Sequence, residues 1–480
     1  MSEKREDVGL GVALIPVIFL VAALAVTISV YHLSPHIPLI CAAAVAAAVA
    51  VYNKHPWNEI QDGMVHGINL AMGAILILMV VGTMIGTWIL GGVVPAMIYY
   101  GLMVLSPGVF LAATMVICSI VSLGTGSSWS TAGTVGVALI GVGSALGIPL
   151  PMVAGAIISG AYFGDKMSPL SDTTNLAPAM AGTDVFSHIR HMVYTTGPSF
   201  ILALILYSLL GLRFAGGALQ AQAIETMTST MNAEFFIHPV LLLPPILVIV
   251  MVVKRIPPLP ALLGGTVLGG IFAMATQADS LAEVIEAAHT GYVANTGVAM
   301  VDDLLSRGGL MSMMETVALI ICALSFGGIM ERTGMLEVIA RSLLKLVKGT
   351  GSLVATTVFS CIGMNAVASD QYIAIVIPGR MYKNAYDKRS LHPKNLSRAL
   401  EDSGTLTSPL IPWNSCGAFM GATLGVNPLL YLPWAFLNLT NPAVSLFYGF
   451  TGITMEKVDA DAAPTGEIPD AITSGQHHVG

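Results

Sequence analysis

Residues 165–175 read Asp-Lys-Met-Ser-Pro-Leu-Ser-Asp-Thr-Thr-Asn and lie between two apolar runs, 151–164 and 176–182. Two carboxylates, an amine, four hydroxyls and an amide thus occupy a stretch otherwise suited to lipid. Each charge at mid-membrane costs roughly 3 kcal/mol on insertion scales, so such groups persist where they face protein or water and find partners. Asp165, Ser168, Asp172 and Asn175 follow one another at i, i+3, i+7 and i+10, which is one stripe on a helix. Pro169 interrupts that helix, because it lacks an N–H and clashes with the preceding turn. Carbonyls freed by the break, the carboxylates and the hydroxyls of Ser171, Thr173 and Thr174 are hard oxygen ligands, suited to Na+ or a proton. Asp165, Ser168, Asp172, Thr173, Thr174 and Asn175 are therefore the candidate ion- and proton-binding residues. Lys166 adjoins Asp165, and on a regular helix the two side chains point apart.

Three further polar clusters have the same character. Residues 401–417 carry the candidates Thr405, Thr407, Ser408, Asn414 and Ser415, with Pro409 and Pro412 as breakers. Glu401 and Asp402 are expected near the cytoplasmic mouth, and charge bound at this break would be compensated by helix-end dipoles. Residues 124–131 contain Gly124, Thr125, Gly126, Ser127, Ser128 and Ser130, and residues 363–370 contain Asn365, Ser369 and Asp370. Each cluster cuts an apolar run in two, as the tip of a re-entrant hairpin would. Glycine allows close backbone approach there. Irregular backbone at membrane depth is tolerated only where protein covers it or a cavity meets it. His188 and His191 read as cytoplasmic surface histidines.

The elements that must position these clusters follow from composition. The chain has 480 residues, 55% hydrophobic and 10% charged, with mean hydropathy +0.79 and net charge −7. A soluble domain has about 25% charged residues, so this is a polytopic membrane protein. The five cysteines are scattered, with no metal spacing and no disulfide framework. Residues 8–30 are long enough to span, which makes them a first transmembrane helix rather than a cleaved signal.

Charge sets the sidedness. Six Lys/Arg between Arg380 and Arg398 make that loop cytoplasmic by the positive-inside rule. Counting from a cytoplasmic N-terminus, only Lys166, Arg213 and Arg307 of the twenty Lys/Arg fall elsewhere. Gly124 and Gly363 are 239 residues apart, as are Asn175 and Asn414, and Gly182 and Gly421. The expected fold is all-α: two inverted repeats, each of five crossings plus one re-entrant hairpin, with broken helices meeting at the midplane as in secondary transporters. The expected organisation is a cytoplasmic N-terminus (1–7), a first repeat (8–214), an extracytoplasmic linker (215–236), a second repeat (237–455) and a disordered, acidic, cytoplasmic tail (456–480). With the acids concentrated in the first repeat, the cation is expected on that side.

Residues 164–184, with 122–136 upstream, resemble the NhaC family of Na+/H+ antiporters of the ion transporter superfamily. The resemblance extends over roughly residues 10–450. It implies hairpins and broken helices moving in an elevator-like way against a scaffold, a homodimer, and an ion site at Asp165 and Asp172. Some members of that family exchange malate for lactate, and others resemble amino-acid transporters. The leading expectation is Na+/H+ antiport, in which a desolvated carboxylate binds either ion. The alternative is Na+- or H+-coupled transport of a small organic solute such as a dicarboxylate, lactate or an amino acid. The partners are then the lipid bilayer, Na+ and H+, with the organic solute under the alternative; no nucleic acid, cofactor or metal beyond Na+ is implied. A channel would want a repeated filter ring, and an enzyme a nucleophile–base pair or metal cluster; the sequence offers neither. The expected location is a bacterial or archaeal cytoplasmic membrane, with both termini inside.

Overall fold

The structure is a computed structural model that describes residues 8–31, 33–215 and 218–458. Among these residues no β-strand forms. The chain begins with α1 (Leu10–Ala25), α2 (His36–Tyr52), α3 (Trp57–Leu70), α4 (Met72–Leu90) and α5 (Val93–Val104). The polar clusters of the first half lie in α6 (Pro107–Thr125), α7 (Ser128–Thr131), α8 (Val137–Ala145), α9 (Leu150–Met167) and α10 (Asp172–Ala181), followed by α11 (Val185–Gly211). Next come α12 (Ala218–Glu234), α13 (Leu243–Val253), α14 (Pro258–Phe272), α15 (Leu281–Thr290), α16 (Ala299–Leu305), α17 (Met314–Arg332) and α18 (Met335–Leu344). The second set of polar clusters lies in α19 (Thr350–Val367), α20 (Gln371–Asp387), α21 (Pro393–Leu400) and α22 (Ser415–Leu424), before α23 (Pro428–Tyr431) and α24 (Phe436–Thr451).

Seven helices are long and apolar enough to cross a membrane, and an eighth span forms if the bent pair Ile224–Glu234 and Pro239–Val253 counts as one. The protein is therefore a multi-pass membrane protein. The helices that carry the polar clusters are interrupted, which keeps several of them below spanning length.

The interruptions have local causes. Helix α6 stops at Gly126, whose left-handed φ of 70° turns its N–H back to the Ser122 carbonyl. Helix α9 stops where Pro169 disfavours a helical Ser168, which is extended at φ −83° and ψ 129°. The break at the first tip is Gly126–Ser127, narrower than the expected 124–131, and the second is 368–370, after α19 has run through Asn365 to Val367. The region 401–414 does not break at its prolines alone. It begins with a π-helical turn, Glu401–Thr405, passes through the 3-10 turn Ser408–Leu410, and leaves helical geometry only in the turn at 411–414.

Packing is intimate around the first tip. A Cβ on Gly164 would lie 2.2 Å from the Leu123 nitrogen, so α6 and α9 meet backbone to backbone along their polar ends. Small residues allow this approach where lipid supplies no hydrophobic drive between helices. The halves of the chain interlock. Helix α17 packs on α2 and α3, α11 on α24, and α10 on α20, while α22 packs on the π turn Ala132–Gly136 and on α8.

Two stretches between the polar clusters are also helical. The stretch 215–236, expected as a linker, holds helix α12, whose end turns by 96° into the next helical pair. Residues 277–312, too polar for an apolar-run reading, hold α15 and α16. Helix α15 starts with a capping box, in which Ser280 accepts from the Glu283 N–H while Glu283 accepts from the Ser280 N–H. Most of the predicted tail, and all of residues 1–7, lie outside the described residues.

Candidate functional site

Asp165 occupies the last turn of α9, and the first tip closes over it. Its Oδ2 accepts from the Ser128 hydroxyl at 2.6 Å and the Ser128 N–H at 3.3 Å. Its Oδ1 accepts from the Ser171 hydroxyl at 2.6 Å. Gly126 makes this closure possible: a Cβ there would stand 2.7 Å from Leu170 Cβ and 2.9 Å from the Ser171 nitrogen, and φ is positive besides. Tip and break are thus in backbone contact.

Several predicted ligands brace the break instead of facing open space. The Thr174 hydroxyl donates to the carbonyls of Asp165 (2.9 Å) and Lys166 (2.8 Å). The Asn175 amide donates to the carbonyls of Pro169 (2.9 Å) and Ser171 (2.6 Å). Ser168 Oγ accepts from the Leu170 N–H. The Thr174 bonds satisfy carbonyls that the end of α9 leaves without intrahelical donors. The helical stripe of Asp165, Ser168, Asp172 and Asn175 is consequently dissolved: Asp165 and Ser168 are buried, while Asp172 and Asn175 are exposed.

Lys166 goes the other way from its neighbour. It is fully buried and pairs with Asp402, while also donating to Asn441 Oδ1 at 3.0 Å. Asp402 Oδ1 accepts from the Thr195 hydroxyl as well, at 2.9 Å. Glu401 is equally buried and accepts from the Thr173 hydroxyl at 3.0 Å. This corrects the expectation that Glu401 and Asp402 sit at a cytoplasmic mouth. It also corrects the idea that acids cluster in the first half, since Asp370, Glu401 and Asp402 are all buried second-half carboxylates. Asp402 is compensated by a lysine, not by helix ends. Thr173 and Ser171 stand 3.1 Å apart, so a polar chain runs from Asp165 through Ser171 and Thr173 to Glu401.

The second tip is built differently. Ser369 has φ of 60°, and Asp370 caps α20 by accepting from the N–H groups of Tyr372 (2.8 Å) and Ile373 (3.2 Å). The Asn365 amide donates to the Gly404 carbonyl (2.7 Å) and to Thr407 Oγ1 (3.0 Å), while Asn414 donates to Asn365 and caps α22. Ser408 donates to Gln371 Oε1 at 3.3 Å, and Thr405 is fully buried. The amides and hydroxyls of this half therefore tie the tip to the 401–414 region.

A cavity of about 860 Å3 joins the two tips to the Asp165 break. Of the predicted residues, Thr125, Gly126, Ser127, Asp165, Asp172 and Asp370 line it. Gly124, Ser128, Ser130, Ser168, Thr173, Thr174, Asn175, Asn365, Ser369, Thr405, Thr407, Ser408 and Asn414 are absent from its wall. Ser415, a candidate from the 401–417 cluster, lines it too, together with Trp129, Arg255, Gln371 and Tyr372, which no sequence pattern marks as site residues. Trp129 stacks on Phe419 of α22 with ring centroids 3.9 Å apart. The Tyr372 hydroxyl donates to Asp172 Oδ2 and so links α20 to α10. Counted by side chains alone, the wall carries three carboxylates against one guanidinium. Among the described residues no three His, Cys, Asp or Glu side chains converge on one point, so the three acids stand apart around the wall.

His188 and His191, read as surface groups, are buried. His188 Nδ1 lies 2.8 Å from Ser397 Oγ, and His191 Nε2 lies 3.2 Å from Asn395 Oδ1.

Comparison with known proteins shows the family of the chain. A profile of the Na+/H+ antiporter family matches residues 160–453. The chain is 40% identical over 465 residues to the Na+/H+ antiporter NhaC of Alkalihalophilus pseudofirmus, covering 97% of this chain and all of that one. It is 39% identical to the malate-2H+/Na+-lactate antiporter of Bacillus subtilis, over 85% of this chain and 87% of the relative. It is 37% identical to the arginine/ornithine antiporter ArcD of Halobacterium salinarum, over 96% of each. Matched along nearly its whole length, the chain belongs to the Na+/H+ antiporter family.

Proposed function

We propose that this protein is a secondary transporter that exchanges Na+ for H+ at the carboxylates of the central cavity. The carrying observation is the meeting of Asp165, Asp172 and Asp370 with both tips around one space. Asp165 has hydroxyl and amide donors but no cation beside it, so either Na+ or a proton can neutralise it. Neutralisation by one or the other is the condition for moving the site through lipid.

The packing supports an inverted-repeat reading. Helix α6 pairs with α9 and α11, and α19 pairs with α21 and α24 in the corresponding order. Helix α10 meets the second arm of the second tip, and α22 meets the second arm of the first. On that reading the tips are re-entrant, the halves are inverted, and an elevator-like motion carries the cavity. Arg255, placed in a cytoplasmic loop by its charge, sits at the cavity wall, which makes this conformation inward-open. The membrane is then the cytoplasmic membrane of a bacterium or archaeon.

One observation favours a second reading. About 860 Å3 suits a small organic molecule far better than a bare ion. Arg255, Trp129 and Tyr372 are groups that recognise carboxylates and amphipathic solutes. Relatives named for malate, lactate, arginine and ornithine match almost as well as those named for Na+ and H+. Transport in proteoliposomes separates the readings. Na+-driven pH change without added solute, abolished in Asp165→Asn and Asp172→Asn, is expected for the first. Na+ flux that appears only with an added carboxylate or amino acid would replace it by the second.

A further inference from the structure

We propose that a second cavity, between α18 and α20, binds the phosphate-bearing headgroup of an anionic phospholipid. It has a volume of about 540 Å3 and shares no residue with the central cavity. Arg341 of α18 and Arg380, Lys388 and Arg389 at and beyond the C-terminal half of α20 converge on it, and no carboxylate lines it. Leu344, Val347, Met381 and Ala385 supply an apolar wall beside the cations. A cationic pocket with an apolar flank between membrane helices matches a lipid headgroup and the start of its acyl chains.

Simpler accounts cover part of this pattern. Cations at cytoplasmic helix ends satisfy the positive-inside rule, and Lys388 and Arg389 follow the C-terminus of α20, where a helix dipole favours positive charge. Neither account explains why Arg341 of another helix, and Arg380 two turns earlier on α20, turn to the same space. Neither explains why the nearby exposed cations Lys345 and Lys348 stay outside it. Arg380 also feels the Glu331 carboxylate, and Arg389 donates to the Ala385 carbonyl at 3.1 Å. The Arg389 bond uses one of the five N–H donors of its guanidinium.

The position fits a lipid better than a soluble ion. Helix α18 packs against α1, whose Ile15 and Ile18 face outward, and the exposed Leu346 follows α18 directly. The pocket thus borders the lipid-facing surface. An occupant would tie α18, in the apolar core shared with α1, α2 and α17, to α20, whose cap Asp370 and first residues Gln371 and Tyr372 line the central cavity. Lipid occupancy would then bear on the helix that carries one wall of the transport site.

The test measures binding of cardiolipin and phosphatidylglycerol to the full-length chain in detergent by native mass spectrometry. A cation at a membrane surface strengthens anionic-lipid binding roughly five-fold. The double variant Arg380→Gln/Arg389→Gln is therefore expected to bind roughly 30-fold more weakly, and Arg389→Gln alone roughly five-fold. The charge-matched double variant Lys345→Gln/Lys348→Gln is expected to bind like the unaltered protein. Equal weakening in both double variants means a diffuse surface field and overturns the site, as does unchanged binding in Arg380→Gln/Arg389→Gln. A third arm replaces lipid by inorganic phosphate in phosphatidylcholine nanodiscs. Phosphate binding that depends on Arg380 and Arg389, with no such dependence for cardiolipin, would overturn the lipid assignment in favour of free phosphate.

Discussion

Asp165 and Lys166 are consecutive residues, both buried, and they live in different worlds. Asp165 faces a cavity and is held by two hydroxyls and one N–H, with no counter-charge. Lys166 is sealed against Asp402, with Asn441 and Thr195 completing the set. The contrast teaches that burial alone does not distinguish a working charge from a structural one. What distinguishes them is whether the charge is already neutralised. A closed ion pair has nothing left to exchange, whereas a carboxylate held only by neutral donors keeps its charge for an ion that arrives from the cavity.

Breaking each member tests the contrast most sharply. Lys166→Met leaves Asp402 buried and unpaired, which should cost about 3–5 kcal/mol and appear as loss of folded protein on size-exclusion chromatography. Adding Asp402→Leu should restore most of it, because an apolar pair of similar volume is often neutral. Asp165→Asn should do the reverse, leaving folding intact and reducing Na+-driven pH change to the level of empty vesicles. A folded, inactive Lys166→Met protein would erase the distinction.

The next effect concerns the contact that encloses Asp165. Gly126→Ala meets both a positive φ and the Leu170–Ser171 backbone. A left-handed non-glycine residue costs of order 1–3 kcal/mol, and a lowered unfolding temperature with slowed exchange is expected. Unaltered exchange would show that tip and break need not touch.

Thr173 stands where the two environments meet, since its hydroxyl joins the Asp165 chain to Glu401. Thr173→Val should cost about 1 kcal/mol for the lost hydrogen bond and slow exchange several-fold. Thr173→Ser should behave like the unaltered protein. Equal behaviour of the two variants in exchange assays would mean that Glu401 belongs with Lys166 and not with the cavity.

The smallest effect is expected outside the membrane. Asp184 caps α11 by accepting from the Ser187 N–H at 2.9 Å, and these donors hold its carboxyl below the usual 3.8. A depressed value means the cap stabilises at pH above the ordinary carboxylate range and weakens only as pH falls through the lowered one. Asp184→Ala should therefore lower thermal stability slightly, by the same amount from pH 6 to pH 9, with no change in the pH profile of exchange.

Much of this arrangement was legible in the residues. Pro169, Gly126 and the 165–175 polar run announced their breaks, because Pro and Gly act through local backbone geometry. Asp165, Asp172, Asp370 and three residues of the first tip could be nominated from their cost in lipid. Partnership was not legible. Lys166 finds Asp402 across 236 positions, and no local pattern marks that meeting. Arg255 and Tyr372 reach the cavity only because α13, α10 and α20 converge in space. The structural share of the polar side chains was hidden for the same reason: the hydroxyls of Ser168 and Thr174 and the amides of Asn175 and Asn365 serve backbone and side-chain groups around the interruptions.

The interrupted helices have one more consequence for the cavity. Helices α10, α20 and α22 all begin at its wall, at Asp172, Gln371 and Ser415. Each helix start carries roughly half a positive charge, about +1.5 in all. With Arg255 these nearly balance the three carboxylates. The chamber is thus close to electrical neutrality, although a count of its acids says otherwise. Gain of a single monovalent cation is then enough to reverse the sign of its net charge.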